Sequence, residues 1–468
     1  MREERTNGHN LRGGRALWVF LPLVLLGACY CYLASRVGTS LVDGGPDESA
    51  RMLVSRAILH GNLLPSGYDP ETIELWGNYS YAFYPQVLCA YVTALFELVP
   101  CLVGAPGIVQ LYFARLSSVA WGLLGAWFLG KAVETLLAKE QNAHVYRALS
   151  MMLMGFWPQY VFLSSYVNND IAAVASTAML MYALVRGIAR GWDVSTCAVL
   201  CAAIVVAALT YLDVYGFIAA AIVVFICSCL RQNRGQRQRA LRLILGSALA
   251  CAVFTFPFFI VNVVRYGDVT GARAFEASYE EWVAATGTEL MHPYDGGAVA
   301  MLFDSSFAKD TAMSFVGVFG YMKSPIPAVG MAFFAALALV FGVAALLSKT
   351  LRSACLGPKW RVFVAAMAAA VLITIFMHVW RSATVDYQPQ GRYVIPNLAP
   401  LCLMVTLGVW SVLGGRERLV VALAVVIALV SVCSMVQVTR QDGWKGMCPG
   451  TEEFVERVTP GHLGLGRR

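Results

Sequence analysis

The chain has 468 residues, 58% hydrophobic and only 13% charged, with a net charge of +7 and a mean hydropathy of +0.64. This balance excludes an ordinary soluble protein. A bilayer span takes roughly 20 mainly apolar residues, and about a dozen such stretches predict an all-α polytopic membrane protein. Lys and Arg fall in short clusters between apolar runs, as topology and lipid-headgroup signals do, which speaks against a nucleic-acid partner.

In chain order, Arg2, Arg5, Arg12 and Arg15 precede an apolar run at 16–33. The run is long and lacks a small-x-small cleavage site, so it reads as a retained first helix with residues 1–15 in the cytoplasm. The polar stretch 34–82 forms a first external loop holding Asp43, Asp47, Glu48, Asp69, Glu71 and Glu74. Within it, Ser49–His60 places Met52, Leu53, Ile58 and Leu59 against Arg51 and Arg56, the pattern of an interfacial amphipathic helix.

Further apolar runs lie at 83–103, 108–130, 148–165, 171–187, 195–211, 214–230, 243–263, 328–348, 362–380, 396–414 and 419–437. Basic clusters at Arg186/Arg190, Arg231–Arg242, Lys349/Arg352/Lys359/Arg361 and Arg416/Arg418 read as cytoplasmic. Satisfying all of them leaves one segment too many. Residues 83–103, interrupted by Pro85, Glu97 and Pro100, are therefore expected to be re-entrant or surface-lying, giving about eleven spans and an external C-terminus, or about twelve if they cross. Residues 16–437 read as one transmembrane domain with a second long external loop at 264–327, and 438–468 as a tail. The 13 cysteines fall mostly inside apolar runs, where they read as small packing residues, and their Cys-x-Cys pairs lack zinc-site spacing.

On this topology the unusual polar residues converge on one face, and ionisable groups near membrane depth usually face a cavity or a partner. Pro46-Asp47-Glu48 fits a helix start with dipole-favoured acids. It equally fits a general base for an acceptor hydroxyl, with Gly44 and Gly45 allowing close approach of a substrate to the backbone. Asn168-Asn169-Asp170 reads as a helix cap or a binding group, and Asp213 as a hairpin-turn aspartate or a site residue. Tyr266–Gly271 reads as a turn leaving a membrane helix. In Gln390-Gly391-Arg392-Tyr393, flanked by Pro389 and Pro396, the arginine suits a phosphate or an interfacial anchor. No Walker-type loop, His-Glu-x-x-His or Gly-x-Ser-x-Gly is present, the six histidines are scattered, and Asn78-Tyr79-Ser80 is a short sequon match.

Four blocks in order, Pro46-Asp47-Glu48-Ser49-Ala50-Arg51, Ser165-Tyr166-Val167-Asn168-Asn169-Asp170, Ser314-Phe315-Val316-Gly317-Val318-Phe319-Gly320 and Gln390-Gly391-Arg392-Tyr393-Val394-Ile395-Pro396, resemble the bacterial membrane family called domain of unknown function 2142. That family resembles the GT-C superfamily of glycosyltransferases, helical bundles that use polyprenyl-phosphate sugars at the external membrane face. The resemblance implies a GT-C-like fold. It also implies catalytic roles for Asp47 and Glu48, a second acid at Asp170, and transfer to an acceptor glycan, lipid or protein of the cell envelope, at an extracytoplasmic site in the plasma membrane. Many relatives carry a lysine near the hairpin tip where this chain has Asp213, which leaves Arg392 or Arg115 as phosphate partner. Asn169, Asp213, Gln390 and Tyr393 complete the expected substrate-binding set. A divalent cation (Mg or Mn) held by Asp47 and Asp170 is an open expectation. The competing readings are a transporter or flippase for a lipid-linked glycan, against which no inverted repeat stands out, and a non-catalytic envelope-assembly protein.

Overall fold

A computed structural model describes residues 2–38, 45–74, 77–351, 357–440, 451–461 and 463. Asp43, Gly44, Arg352, residues 441–450, 462 and 464–468 of the tail, and the side chains of Arg2, Arg5, Arg12 and Arg15 lie outside the described residues.

Each apolar run is helical: α1 (Arg2–Ala34), α3 (Leu88–Leu102), α4 (Gly107–Leu136), α7 (Asp170–Arg190), α8 (Val194–Ala208), α9 (Tyr215–Gln232), α10 (Arg237–Tyr266), α14 (Ala328–Leu347), α15 (Arg361–Thr384), α16 (Leu398–Leu413) and α17 (Glu417–Val438). The run at 148–165 is a pair, α5 (Ala143–Gly155) and α6 (Pro158–Leu163), because Pro158 has no N–H to continue the first helix but suits the opening turn of the second. The connections hold α2 (Glu48–Leu59), α11 (Ala272–Thr286), α12 (Gly297–Phe303), α13 (Ser305–Gly317), α18 (Thr451–Val458) and a small antiparallel pair, β1 (Val318–Phe319) with β2 (Ser324–Pro325). Among the described residues eight helices are long and apolar enough to cross a membrane, and Trp18–Ala34, Leu88–Leu102 and Val194–Ala208 are shorter apolar helices.

The central helix is α7, buried along nearly its whole length against α4, α8, α9 and α16. Peripheral helices instead expose large apolar side chains, Leu245, Leu249, Phe254 and Ile260 on α10, Leu339 and Val340 on α14, Leu372 and Phe376 on α15. Such a surface suits acyl chains and not water, and helices satisfy their backbone groups internally there. The turn after α10 is as expected: Gly267 and Gly271 take positive φ, and the Asp268 carboxylate accepts from Thr270 N.

The helix α2 departs from expectation. The amphipathic pattern predicts a helix lying on the membrane surface, but ten of its twelve residues, Arg51 among them, are buried. Its apolar face packs on Leu111, Ala114 and Val167, together with Phe454 and Val458 of the returning C-terminal α18. Pattern alone cannot distinguish lipid from protein as the apolar partner. The C-terminal segment ties this region together: Arg457 pairs with Glu74 and accepts at its carbonyl from Arg56, His60 bonds Pro460 O (2.9 Å), and Gln110 bonds Gly461. Helix α3 packs antiparallel along the first half of α4, with Thr93 Oγ1 3.0 Å from Ser117 Oγ and Cys101 Sγ 3.4 Å from Gln110 Oε1. Leu88 N donates to Leu209 O (3.0 Å), and Leu463 N donates to Cys101 O in its last turn (3.2 Å). At 15 residues it is ~22 Å long, with Leu95, Val99 and Val103 exposed on its outer side.

Candidate active site

A cavity of about 710 Å³ opens at the α2 end of the bundle. Asp47, Asn169, Asp213, Gln390, Arg392 and Tyr393 lie on its wall, so six of the nine residues proposed from sequence meet in one place. They come from α2, α7, the turn before α9 and the segment leading into α16, elements more than 300 residues apart.

The adjacent acids Asp47 and Glu48 part company. Asp47 stands at the N-cap of α2 with φ 62°, yet its side chain makes no capping bond. Its Oδ2 instead accepts from Arg392 Nη1 at 2.9 Å. A left-handed backbone is costly for most residues and tolerated by Asp and Asn. The carboxylate is thus aimed at the cavity and does not serve as a helix cap. Burial pushes the Asp47 carboxyl up, but the Arg392 and Arg51 charges, with hydrogen bonds from Arg392 and Tyr81, outweigh it and hold the group below the usual carboxylate range.

Glu48 points away from the cavity. Fully buried, it receives Arg115 Nε (2.9 Å), Arg115 Nη2 (2.6 Å) and Val167 N (2.9 Å). The remaining Arg115 donors go to the carbonyls of Ala34 (2.9 Å), Val37 (3.0 Å) and Gly38 (3.4 Å). Neither residue lines the cavity. Glu48 is not placed to touch a substrate, and Arg115 has no N–H left for a phosphate. The pair fastens α2 to α4, α1 and the 163–169 turn. Asp170 is likewise off the wall, with both carboxylate oxygens buried and unpartnered, while the cap of α7 comes from Asn168, whose Oδ1 accepts from Ile171 N (2.9 Å). Asn169 holds Thr210 O (2.9 Å), joining α7 to the turn that carries Asp213.

Gly45 and Gly391 make room for other parts of the protein. A Cβ on Gly45 would lie 2.1 Å from the Tyr166 ring, so that residue is small to admit Tyr166. At Gly391 a Cβ would fall 2.2 Å from Phe315 N. This glycine lets the segment lie flat on α13, where Gly391 N donates to Ser314 Oγ, and so aims Arg392. Gly391→Ala is expected to lower turnover about 10²-fold, the scale of an ångström-sized misplacement, in protein that still elutes as a folded monodisperse species on size-exclusion chromatography. Asn78 of the sequon is spent internally on Ser278 Oγ (2.8 Å).

Several wall residues gave no local signal. Six tyrosines (79, 81, 84, 211, 279 and 321) and Phe275 join the expected Tyr393 to make the wall aromatic, through contacts such as Tyr79–Phe275 with centroids 5.2 Å apart. Lys323 and Arg381 add cations. Lys323 is delivered by the β1–β2 hairpin, whose tip holds Tyr321 and Met322 at φ 53° and 67°. Two consecutive non-glycine residues in that region are strained. Behind Asp47, the buried Arg51 donates to the Tyr81 hydroxyl (3.0 Å) and keeps Nε and Nη1 unpartnered. The clue to Arg51 was its place one turn after Asp47 in the first block.

The donor set does not fit a divalent cation. Among the described residues no three His, Cys, Asp or Glu side chains gather as a metal site would require. Asp47 is bonded to one arginine and faces a second, and Asp170 faces the same two.

No family model matches the chain, and no curated protein matches it; the resemblance to domain of unknown function 2142 thus rests on its four blocks. Among solved structures, ArnT from Cupriavidus metallidurans bound to undecaprenyl phosphate aligns with a TM-score of 0.51 at 15% identity, over 96% of this chain and 77% of that one. Its apo state gives 0.50 at 16% identity, over 97% and 77%. The oligosaccharyltransferase of Archaeoglobus fulgidus in the apo form gives 0.51 at 14% identity over 96% of this chain, which spans 57% of that protein. Identities this low establish the fold alone. The chain is a polytopic helical membrane protein with the fold of the GT-C glycosyltransferases.

Proposed function

We propose that the chain is a membrane glycosyltransferase that moves a sugar from a polyprenyl-phosphate donor to an acceptor hydroxyl of a cell-envelope glycan, lipid or protein. The observation that carries this reading is the Asp47 carboxylate held 2.9 Å from Arg392 on the wall of an aromatic cavity. The neighbour ArnT, bound to undecaprenyl phosphate, supports the donor class.

In the reaction, the acceptor oxygen attacks the anomeric carbon as the bond from that carbon to the phosphate oxygen breaks. The bonding pair leaves with the phosphate, and the hydroxyl proton passes to Asp47. Arg392 retains an unpartnered Nε–H and can meet the charge growing on the departing phosphate, with Lys323 supplying the lysine that Asp213 displaced from the hairpin. Drawing Arg392 toward phosphate relaxes its hold on Asp47 and makes the carboxylate a stronger base when the donor is bound. The tyrosines offer rings to the sugar faces and hydroxyls to its polar edge. Glu48 and Arg115 act by holding α2 in place.

An extracytoplasmic site in the plasma membrane is supported by charge. The helix α9 starts at the cavity, and its far end enters the cluster Arg231, Arg234, Arg237, Arg239 and Arg242, which the positive-inside rule assigns to the cytoplasm. Because arginines occupy the surroundings of both Asp47 and Asp170, transfer is expected to persist within about twofold after EDTA treatment; loss of turnover that Mg or Mn restores would refute this.

The test is purified protein in liposomes with a radiolabelled polyprenyl-phosphate sugar pool and envelope glycolipid extract. Label is expected to move covalently to acceptor. Label that stays on the polyprenyl lipid and only changes leaflet would establish a flippase instead.

A further inference from the structure

The three cations of the cavity wall are not equivalent. Arg392 is paired with Asp47, and Lys323 belongs to the hairpin whose Tyr321 faces the same carboxylate. Arg381, in the last turn of α15, has no ion-pair partner among the described residues. Two wall acids are committed elsewhere: Glu74 to Arg457, and Asp386 to His292 N (3.3 Å) and Gln388 Nε2 (2.7 Å). Asp213 faces Arg381 without pairing with it.

A cation in a final helical turn offsets the helix dipole, and can do so while pointing at solvent or headgroups. The preceding residue, Trp380, does point outward, at 57% exposed. Arg381 is exposed as well, and it lies on the cavity wall. Its carbonyl accepts from Val385 N (2.9 Å) and Asp386 N (3.1 Å), which closes the helix.

Tyr393 stands between the two arginines. Its hydroxyl accepts from Arg392 Nη2 (3.1 Å), and its ring stacks on His378, 5.6 Å away and one turn before Arg381. The charges facing Asp47 are Arg392 and Arg51, while Arg381 faces Tyr84, Tyr211 and Tyr393. With Tyr393 bonded to Arg392 and stacked on the α15 face that carries His378 and Arg381, Arg381 lies across that ring from Arg392. A guanidinium without an ion-pair partner, on a wall shared with tyrosine hydroxyls, is a fork for an oxyanion with further O–H donors at hand.

We infer that Arg381, with Tyr84 and Tyr211, forms a second anion subsite that holds a phosphate or carboxylate group of the acceptor, on the other side of Tyr393 from the donor phosphate. The word acceptor rests on the proposed transfer reaction; the anion site itself does not.

The experiment uses the full chain in phosphatidylcholine nanodiscs, in a K323Q/R392Q background that removes the other two cations of the cavity wall. Dihexanoyl phosphatidic acid, glucuronic acid and the neutral controls dihexanoylglycerol and glucose are titrated by calorimetry. At least one anionic probe is expected to bind, with affinity falling tenfold or more on adding R381Q and recovering in part with R381K. Binding of the phosphate probe alone identifies a phosphorylated acceptor, of glucuronic acid alone an acidic sugar. Binding indifferent to R381Q, no anion binding in the background variant, or equal binding of neutral controls would overturn the inference. Wild-type protein, with R381Q alone beside it, repeats the titration should the background variant not remain monodisperse, and there the loss of one of two phosphate sites is expected. Failure of the transfer reaction would show separately, as unreacted polyprenyl donor with anion binding intact.

Discussion

Asparagine in place of Asp47 is expected to lower kcat by about 10²- to 10⁴-fold, the range for loss of a positioned general base. The substitution is chosen because asparagine accepts the left-handed backbone at φ 62° and keeps the shape of the group, so lost turnover reports lost charge and basicity. Donor affinity should fall little or rise, since Arg392 is freed for the phosphate. Wild-type turnover by Asp47→Asn would remove this residue from the mechanism. The pH profile gives an independent check. With its folded pKa depressed, Asp47 stays ionised in the free protein until the pH falls below the usual carboxylate range, so kcat/KM should hold on the acid side where an ordinary carboxylate would begin to fail. Bound phosphate competes for Arg392 and raises the pKa, so the acid limb of kcat should lie at higher pH than that of kcat/KM. The linked stability has the matching sign: the contribution of the Asp47 charge is present above the unfolded carboxylate pKa of about 3.9 and is lost as pH falls through the lower folded value.

Removing Glu48 should act on a different quantity. Glu48→Ala leaves the Arg115 guanidinium buried and without its carboxylate, a change that costs about 3–5 kcal/mol when one partner of a buried pair is deleted. Glu48→Leu combined with Arg115→Met should recover much of that loss, because an apolar pair of similar volume restores packing without an orphaned charge. Urea-dependent unfolding in detergent micelles would measure both. If Glu48→Ala unfolds like wild type while turnover alone collapses, Glu48 belongs to the reaction and the anchoring role assigned to it fails. The contrast with Asp47→Asn, folded and inactive, separates two acids adjacent in the chain.

The membrane-spanning architecture was legible because hydropathy is a local property: each apolar run became helix, the one at 148–165 as a pair. The gathering of Asp47, Asn169, Asp213, Gln390, Arg392 and Tyr393 was also legible, since charge clusters assign each loop to an end of the bundle before any contact is known. What failed was resolution within an end. Asp47 and Glu48 looked like one acidic pair, but Asp47 takes the left-handed backbone at φ 62° just before the helix begins at Glu48, and one carboxylate goes to the cavity and the other to Arg115. Lys323, Arg381 and the tyrosine wall carried no mark of their own, because an interfacial lysine, a helix-end arginine and a loop tyrosine are ordinary wherever they occur.

By itself, then, the sequence determined a polytopic helical protein with its acids and Arg392 at one end, as the lengths, charges and spacing of short segments require. Only the tertiary structure decided which polar groups face the cavity and which are consumed in holding it together. That choice turns on packing between segments far apart in the chain, such as Tyr166 against Gly45 and Phe315 against Gly391, which no local pattern records.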